Sequence, residues 1–132
     1  MCKNNNCNCI SDILKVIYLL QENAEKDDEC LESCDKPTLG RISNRCYNTR
    51  PVILYTCNSN GVTPWNAPTS RVAIPTAYSS VFRIEKIDDC CATFRVLVPE
   101  DDSYIATDSF FTLNLECICS IRCLRDTYVE NV

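Results

Sequence analysis

Twelve cysteines and no histidine distinguish this chain of 132 residues. Thiols can pair as disulfides, bind zinc or act as nucleophiles, and at about a tenth of a short chain they are typical of a disulfide scaffold. Without histidine, a nucleophilic thiol lacks its usual general base, and mixed Cys/His zinc sites are excluded. The composition therefore favours disulfide cross-linking, with an all-cysteine metal site as the main alternative.

Neither catalysis nor metal binding finds much support in the spacing of the reactive residues. The chain has no glycine-rich phosphate loop, and its carboxylate pairs fall where turns are expected. Cys30 and Cys34 have the Cys-x2–4-Cys spacing of a structural zinc site, and such a pair by itself is weak evidence. We therefore expect no enzyme activity, no catalytic residues, no cofactor and no bound metal.

Composition and charge limit the possible partners. At 45% hydrophobic residues the chain can build a core without cross-links, so its thiols exceed what folding requires and point to bonds between subunits. A net charge of −5 argues against a nucleic-acid partner. The apolar stretch 13–20 is interrupted by Lys15 and is too short to span a bilayer, and no signal peptide is visible.

Two segments are predicted at the start of the chain. Residues 1–9 are polar and of low complexity, which indicates a flexible arm that carries cysteines. Ser11 then matches a helix N-cap, and the predicted helix runs to about Glu25. Its apolar stripe has helical spacing and consists of Ile10, Ile13, Leu14, Ile17 and Leu20.

The rest of the chain has the pattern of antiparallel strands. Strand signals cover residues 52–57, 81–87 and 91–98, with turn signals at 58–61, at 88–89 and at 100–103. Alternating apolar and polar residues at 111–123 predict one long strand, or two joined by a bulge. We predict an α+β fold, mostly β, with an antiparallel β-sandwich-like domain at 10–132, one N-terminal helix and the flexible arm.

The cysteines divide into two groups by their expected setting. Exposed thiols on a mobile arm suit bonds between subunits, which makes Cys2, Cys7 and Cys9 the intersubunit candidates. The other nine are candidates for disulfides within the subunit or for buried thiols: Cys30, Cys34, Cys46, Cys57, Cys90, Cys91, Cys117, Cys119 and Cys123. Spacing cannot choose between these two states, and connectivity cannot be read from the sequence.

Several blocks of the chain resemble the CotY/CotZ/ExsY family of cysteine-rich proteins from the outer coat, crust and exosporium of bacterial spores. The blocks are Asn48-Thr-Arg-Pro51, Ile53-Leu-Tyr-Thr56, Phe82-Arg-Ile-Glu85, Asp88-Asp-Cys-Cys91, Phe94-Arg-Val-Leu97 and Leu115-Glu-Cys-Ile-Cys-Ser-Ile-Arg-Cys-Leu-Arg-Asp126. They occur in the family's order and extend from about the first helix to Asp126.

The resemblance implies a structural protein without enzymatic activity. It implies self-assembly into a disulfide-stabilised two-dimensional layer of hexagonal symmetry, built from a homo-oligomer such as a hexamer. The resemblance also implies synthesis in the mother-cell cytoplasm and persistence on the spore surface, among other coat or exosporium proteins. Such a history reconciles the many cysteines with the lack of a signal peptide. A small cysteine-cluster module for metal binding or redox chemistry is the alternative.

Overall fold

The computed structural model describes residues 8–25 and 47–132. Within these residues, helix α1 comes first and eight strands follow it. Their bounds are α1 (Asn8–Glu25), β1 (Val52–Asn58), β2 (Gly61–Pro64), β3 (Ala67–Pro68), β4 (Tyr78–Ser79), β5 (Val81–Asp88), β6 (Cys91–Glu100), β7 (Ser103–Asn114) and β8 (Ile118–Cys123). A short 3-10 turn, Leu115–Cys117, separates β7 from β8.

The strands form one curled six-stranded sheet and a separate two-stranded ribbon, all antiparallel. The order in the large sheet is β2-β1-β5-β6-β7, and β8 also pairs with β1. Strand β1 pairs with β5 at Val52 and with β2 from Tyr55 onward. The beginning of β1 thus pairs with β5, and its end pairs with β2. The predicted class is thereby confirmed: mostly β, with one helix near the N-terminus.

The core lies between the sheet and α1. The helix buries Ile10, Leu14 and Ile17 against the sheet. Of the predicted stripe, Ile13 and Leu20 are instead exposed, because the buried face turns through positions 10, 14, 17 and 21. In the sheet, Phe111 packs edge-on against Phe82, with ring centroids 4.8 Å apart.

The start of the helix differs from the prediction. Helix α1 begins at Asn8, so Asn8 and Cys9 belong to the helix and not to the arm; residues 1–7 lie outside the described residues. Ser11 is therefore not the N-cap. Its buried hydroxyl donates a hydrogen bond of 2.8 Å to the carbonyl oxygen of Asp89, in the turn between β5 and β6. Ser11 thus ties the helix to the sheet.

Replacing Ser11 with alanine is expected to lower the free energy of unfolding by about 1 kcal/mol, because the Asp89 carbonyl loses its donor. Urea unfolding of the monomer, followed by circular dichroism, measures this change. The neighbouring exposed Asp12→Ala is the control and should change stability by less than about 0.5 kcal/mol. Equal effects of the two substitutions would contradict the assigned role of Ser11.

Three predicted turns connect strands as expected. Asn58 pairs with Gly61 across the β1–β2 turn, where Gly61 has φ +110° and the Asn58 side chain accepts a hydrogen bond from the Asn60 N–H. The β5–β6 turn lies at Asp89 and Cys90, one residue later than predicted. The β6–β7 turn closes with Glu100 opposite Ser103.

The last strand region was predicted as one long strand or as two strands joined by a bulge. The structure instead places the 3-10 turn Leu115–Cys117 between β7 and β8, and β8 leaves β7 to pair with β1. The turn resets which side chains face inward, so Leu115 and Ile118 are both buried. This reset explains why Ile118 breaks the period-two pattern in the sequence.

Candidate functional site: the cysteines and the network around them

One disulfide links the first and last strands of the large sheet. Cys57, near the end of β1, is bonded to Cys119, near the start of β8, with a Cα–Cα distance of 6.0 Å. The two residues are 62 positions apart, and both are exposed. Closing so long a loop restricts the unfolded chain strongly, so this bond holds β8 in place beside β1.

Two further described cysteines are in disulfides. Cys90, in the β5–β6 turn, is bonded and packs against the main core, and Cys117 in the 3-10 turn is bonded as well. The carbonyl of Cys90 also accepts a 2.6 Å hydrogen bond from the Leu115 N–H. This hydrogen bond joins the β5–β6 turn to the 3-10 turn between β7 and β8. A bonded cysteine therefore lies in each of these two turns.

Three described cysteines have free and exposed thiols: Cys9, Cys91 and Cys123. Cys9 was predicted to be available for bonds between subunits, and its exposure is compatible with that role. Cys91 and Cys123 were grouped with the paired or buried cysteines, but neither is paired or buried. The remaining candidates, Cys2, Cys7, Cys30, Cys34 and Cys46, lie outside the described residues.

Adjacent Cys90 and Cys91 differ in environment. Cys90 is bonded in the turn, whereas Cys91 opens β6 and exposes its free thiol. Strand β6 buries Ala92 and Phe94, so the alternate positions 91 and 93 lie on the opposite face of the sheet. The two adjacent cysteines therefore serve different purposes, Cys90 within the subunit's covalent framework and Cys91 as an exposed thiol.

Cys123 lies beside an ion pair. The Arg50 guanidinium donates two hydrogen bonds to the Asp126 carboxylate, Nε to Oδ1 at 2.6 Å and Nη2 to Oδ2 at 2.9 Å. The hydrogen bond to Asp126 raises the pKa of Arg50. Partial burial of the Cys123 thiol raises its pKa; the positive charge of Arg50 opposes this rise, and the negative charge of Asp126 adds to it.

Alkylation of Cys123 should therefore require a higher pH in the folded protein than in the urea-unfolded chain, because only the thiolate reacts. Asp126→Asn should move the midpoint of the alkylation rate down in pH, and Arg50→Gln should move it up. Peptide mass spectrometry after short pulses of iodoacetamide gives the rate at this cysteine. The same midpoint in folded and unfolded protein would contradict the effect of burial.

A buried arginine lies at the centre of a polar network on the face of the sheet opposite the main core. The side chain of Arg83 is 2% exposed and donates to the Glu85 carboxylate at 2.8 Å. It also donates to the Thr49 hydroxyl at 2.9 Å and to the Asn48 carbonyl at 3.1 Å. Arg95 donates to the same carboxylate oxygen of Glu85 at 2.9 Å. One carboxylate thus serves two guanidinium groups.

The same network fixes the C-terminal segment. The Asn48 side chain accepts a hydrogen bond from the N–H of Val129 and donates one to its carbonyl, each at 2.9 Å. Thr49 and Thr127 form an isolated antiparallel bridge. With the pair of Arg50 and Asp126, these contacts hold the chain after β8 against the segment that enters β1.

Sequence reasoning quoted these residues as motif letters but did not find their roles. Arg83 binds Thr49, which is 34 positions away in the sequence, so no local pattern indicates the contact. Gln21, a polar residue on the buried helix face, donates to the Ile84 carbonyl at 2.9 Å and accepts from the Arg50 N–H at 3.0 Å. A polar residue at a core-facing position was the available signal.

The part of the chain that the structure describes has neither a membrane-spanning helix nor a metal-binding cluster. No helix within residues 8–25 and 47–132 is long and apolar enough to cross a membrane. Within the same ranges, no group of three or more Cys, Asp or Glu residues is arranged to hold a metal ion.

A comparison with protein families matches residues 2–109 to the CotZ family, described as spore coat protein Z. The match covers well over half of the chain, and the protein therefore belongs to the CotZ spore coat protein family. No curated protein matches the chain, and no solved structure matches it. The resemblance found in the sequence is confirmed, and membership supports a structural role in the spore coat and a place at the spore surface.

The family match and the polar network overlap. Asn48, Thr49, Arg50, Arg83 and Glu85 all fall within residues 2–109. Asp126 and Val129, which complete the network, follow the matched range. The resemblance drawn from the sequence extended to Asp126, and the contact between Arg50 and Asp126 shows how that last block joins the earlier ones.

Proposed function

We propose that this protein is a self-assembling structural component that builds a disulfide-cross-linked two-dimensional layer of the spore coat or exosporium. Membership of the CotZ family supports the coat role. The observation that carries the cross-linking is the presence of free, exposed thiols at opposite ends of the folded domain. Synthesis in the mother-cell cytoplasm, followed by late oxidation, accounts for the many cysteines.

The positions of the thiols follow from the contacts of α1. The start of the helix meets the β5–β6 turn through Ser11 and Asp89, which places Cys9 and Cys91 at that end of the molecule. The other end of the helix meets Arg50 through Gln21, and Arg50 neighbours Cys123. Ser11 and Gln21 are ten positions apart along the helix, which corresponds to about 15 Å.

Thiols at both ends allow more than pairing of two subunits. A subunit with one reactive thiol can form only a disulfide-linked dimer, whereas thiols at two ends can link each subunit to several neighbours. Such bonds make disassembly of the layer a covalent step, which suits a coat that must persist. Exposure of Cys9, Cys91 and Cys123 provides the access that exchange and oxidation require.

We further propose that the folded domain and the N-terminal cysteines have different roles in assembly. The domain surface fixes the angles of a hexameric ring, because a rigid surface is needed for a closed rotation. Cys2 and Cys7 tether neighbouring rings, acting through a high effective concentration and without a large interface. Other coat or exosporium proteins can join the layer through the same thiols.

Denaturing gel electrophoresis of the purified protein without reductant, combined with mass spectrometry, tests this function. We expect covalent multimers that collapse to the 15.0 kDa chain when reductant is added. A monomer with free thiols and stoichiometric zinc would overturn the proposal and support the metal-binding alternative. Cys9→Ser, Cys91→Ser and Cys123→Ser, made singly and together, show which described thiols form the bonds.

A further inference from the structure

The loop between β3 and β4 projects two large apolar side chains into solvent. Ile74 is 85% exposed and Val72 is 60% exposed. We define residues 71–74 as the loop tip; Arg71 begins it, and no ion pair of Arg71 is found among the described residues. Together these two side chains on one short loop offer an apolar surface to a partner.

The base of this loop is fixed to the large sheet. The Thr69 N–H donates to the Ala77 carbonyl at 3.0 Å and closes the loop. The Ser79 hydroxyl donates to the Leu97 carbonyl of β6, and the Ser109 hydroxyl of β7 donates to the Pro68 carbonyl at 2.7 Å. A loop tip on an anchored base loses less conformational freedom on binding than a free segment does.

A groove with complementary chemistry is lined by residues other than those of the loop tip. We define the C-terminal groove as the cleft between the β6–β7 hairpin end and the segment after β8. Its apolar lining includes Tyr104, Ile105 and Tyr128, and its acidic residues are Glu100 and Glu130. Ile105 and Tyr128 are about half exposed, so apolar surface is open to a partner. Neither glutamate has an ion-pair partner among the described residues.

Both walls of the groove are held in place. Tyr104 packs against the small cluster of Val81, Leu97 and Val129 on one side. On the other side, Asn48 binds both backbone groups of Val129, directly between Tyr128 and Glu130. The groove is therefore formed before any partner arrives, as small binding clefts usually are.

We propose that the C-terminal groove of one subunit receives the loop tip of a second copy of this chain. The apolar tip fits the apolar lining, and the cationic Arg71 faces the two carboxylates at Glu100 and Glu130. This charge complementarity supports the loop tip as the occupant of the groove. Since the tip and the groove are different parts of the surface, the contact can repeat from subunit to subunit. The inference rests on the proposed self-assembly and names one non-covalent contact within it.

Two variants that each remove one side of the contact provide the test. Ile74→Asp puts a carboxylate on the loop tip, and Ile105→Asp puts one in the groove. Both positions are exposed, so the fold should tolerate the changes, which circular dichroism checks. Association is measured by light scattering after size exclusion, with reductant present so that disulfides do not contribute. Each variant should associate at least about tenfold more weakly than the unaltered chain.

Mixing the two variants restores one intact pairing, the tip of the Ile105→Asp chain with the groove of the Ile74→Asp chain. We expect the mixture to form dimers that neither variant forms alone. The charge exchange Arg71→Glu with Glu100→Arg and Glu130→Arg should likewise restore association that Arg71→Glu alone reduces. Val62→Asp, at an exposed apolar position on β2, is the matched control and should associate like the unaltered chain.

The outcomes separate this inference from the proposed function. If the unaltered chain assembles and both aspartate variants assemble equally well, the contact is wrong and the proposed function stands. If the aspartate variants fail but their mixture does not form dimers, the pairing of tip with groove is also wrong. If the unaltered chain stays monomeric with and without reductant, the proposed self-assembly fails, and the inference fails with it.

Discussion

Glu85→Ala is expected to lower the free energy of unfolding by about 3–5 kcal/mol, the loss typical of a buried ion pair deprived of one partner. In the unaltered protein, the Glu85 carboxylate accepts hydrogen bonds from Arg83 at 2.8 Å and from Arg95 at 2.9 Å. Arg83 is almost fully buried and cannot recover its lost partner from water. Urea unfolding of the monomer measures the change.

The adjacent Lys86→Ala provides the control for this experiment. Lys86 is exposed on the same strand, so its truncation should change stability by less than about 0.5 kcal/mol. Glu85→Gln should be intermediate, since the amide keeps one acceptor oxygen but loses the charge. A Glu85→Ala protein as stable as the Lys86→Ala protein would show that the network contributes little to the fold.

Removal of the disulfide between Cys57 and Cys119 is the second large expected effect. The double variant Cys57→Ala/Cys119→Ala should lose about 2–4 kcal/mol, because the unfolded chain is no longer closed into a loop of more than sixty residues. Both cysteines are changed together so that no new free thiol is created. Unfolding is measured on the monomer without reductant.

Cys91→Ala is the matched variant for this comparison. Cys91 is also exposed, but its thiol is free, so its removal should leave stability nearly unchanged. Excess reductant should lower the stability of the unaltered protein to that of the double variant or below it, because the reductant also breaks the other disulfides. Equal midpoints for the double variant and the unaltered protein would contradict a stabilising role for this bond.

Local patterns predicted strands β1, β5 and β6, whereas the short strands β2, β3 and β4 were not predicted. The hairpin of β5 and β6 follows from β-rich runs with a turn signal between them. In the β1–β2 turn, Gly61 supplies the positive φ that the turn requires. The same local rules failed at Ser11. A serine before an apolar run looks like a helix cap, and nothing nearby shows that its partner is Asp89, 78 positions away.

The roles of individual cysteines were the least predictable part. The bond between Cys57 and Cys119 depends on β8 pairing with β1, and that pairing depends on the 3-10 turn at Leu115–Cys117. Period-two alternation across residues 111–123 conceals this turn. Cys91 and Cys123 could be recognised as free and exposed only after the register of their strands was known.

Imaging of the assembled protein tests the central claim most directly. Purified full-length protein is imaged by electron microscopy before and after boiling in detergent, in the presence and in the absence of reductant. We predict ordered two-dimensional layers that survive hot detergent alone and disperse when reductant is added. Layers that dissolve in detergent without reductant, or a protein that forms no layers, would contradict a disulfide-cross-linked coat lattice.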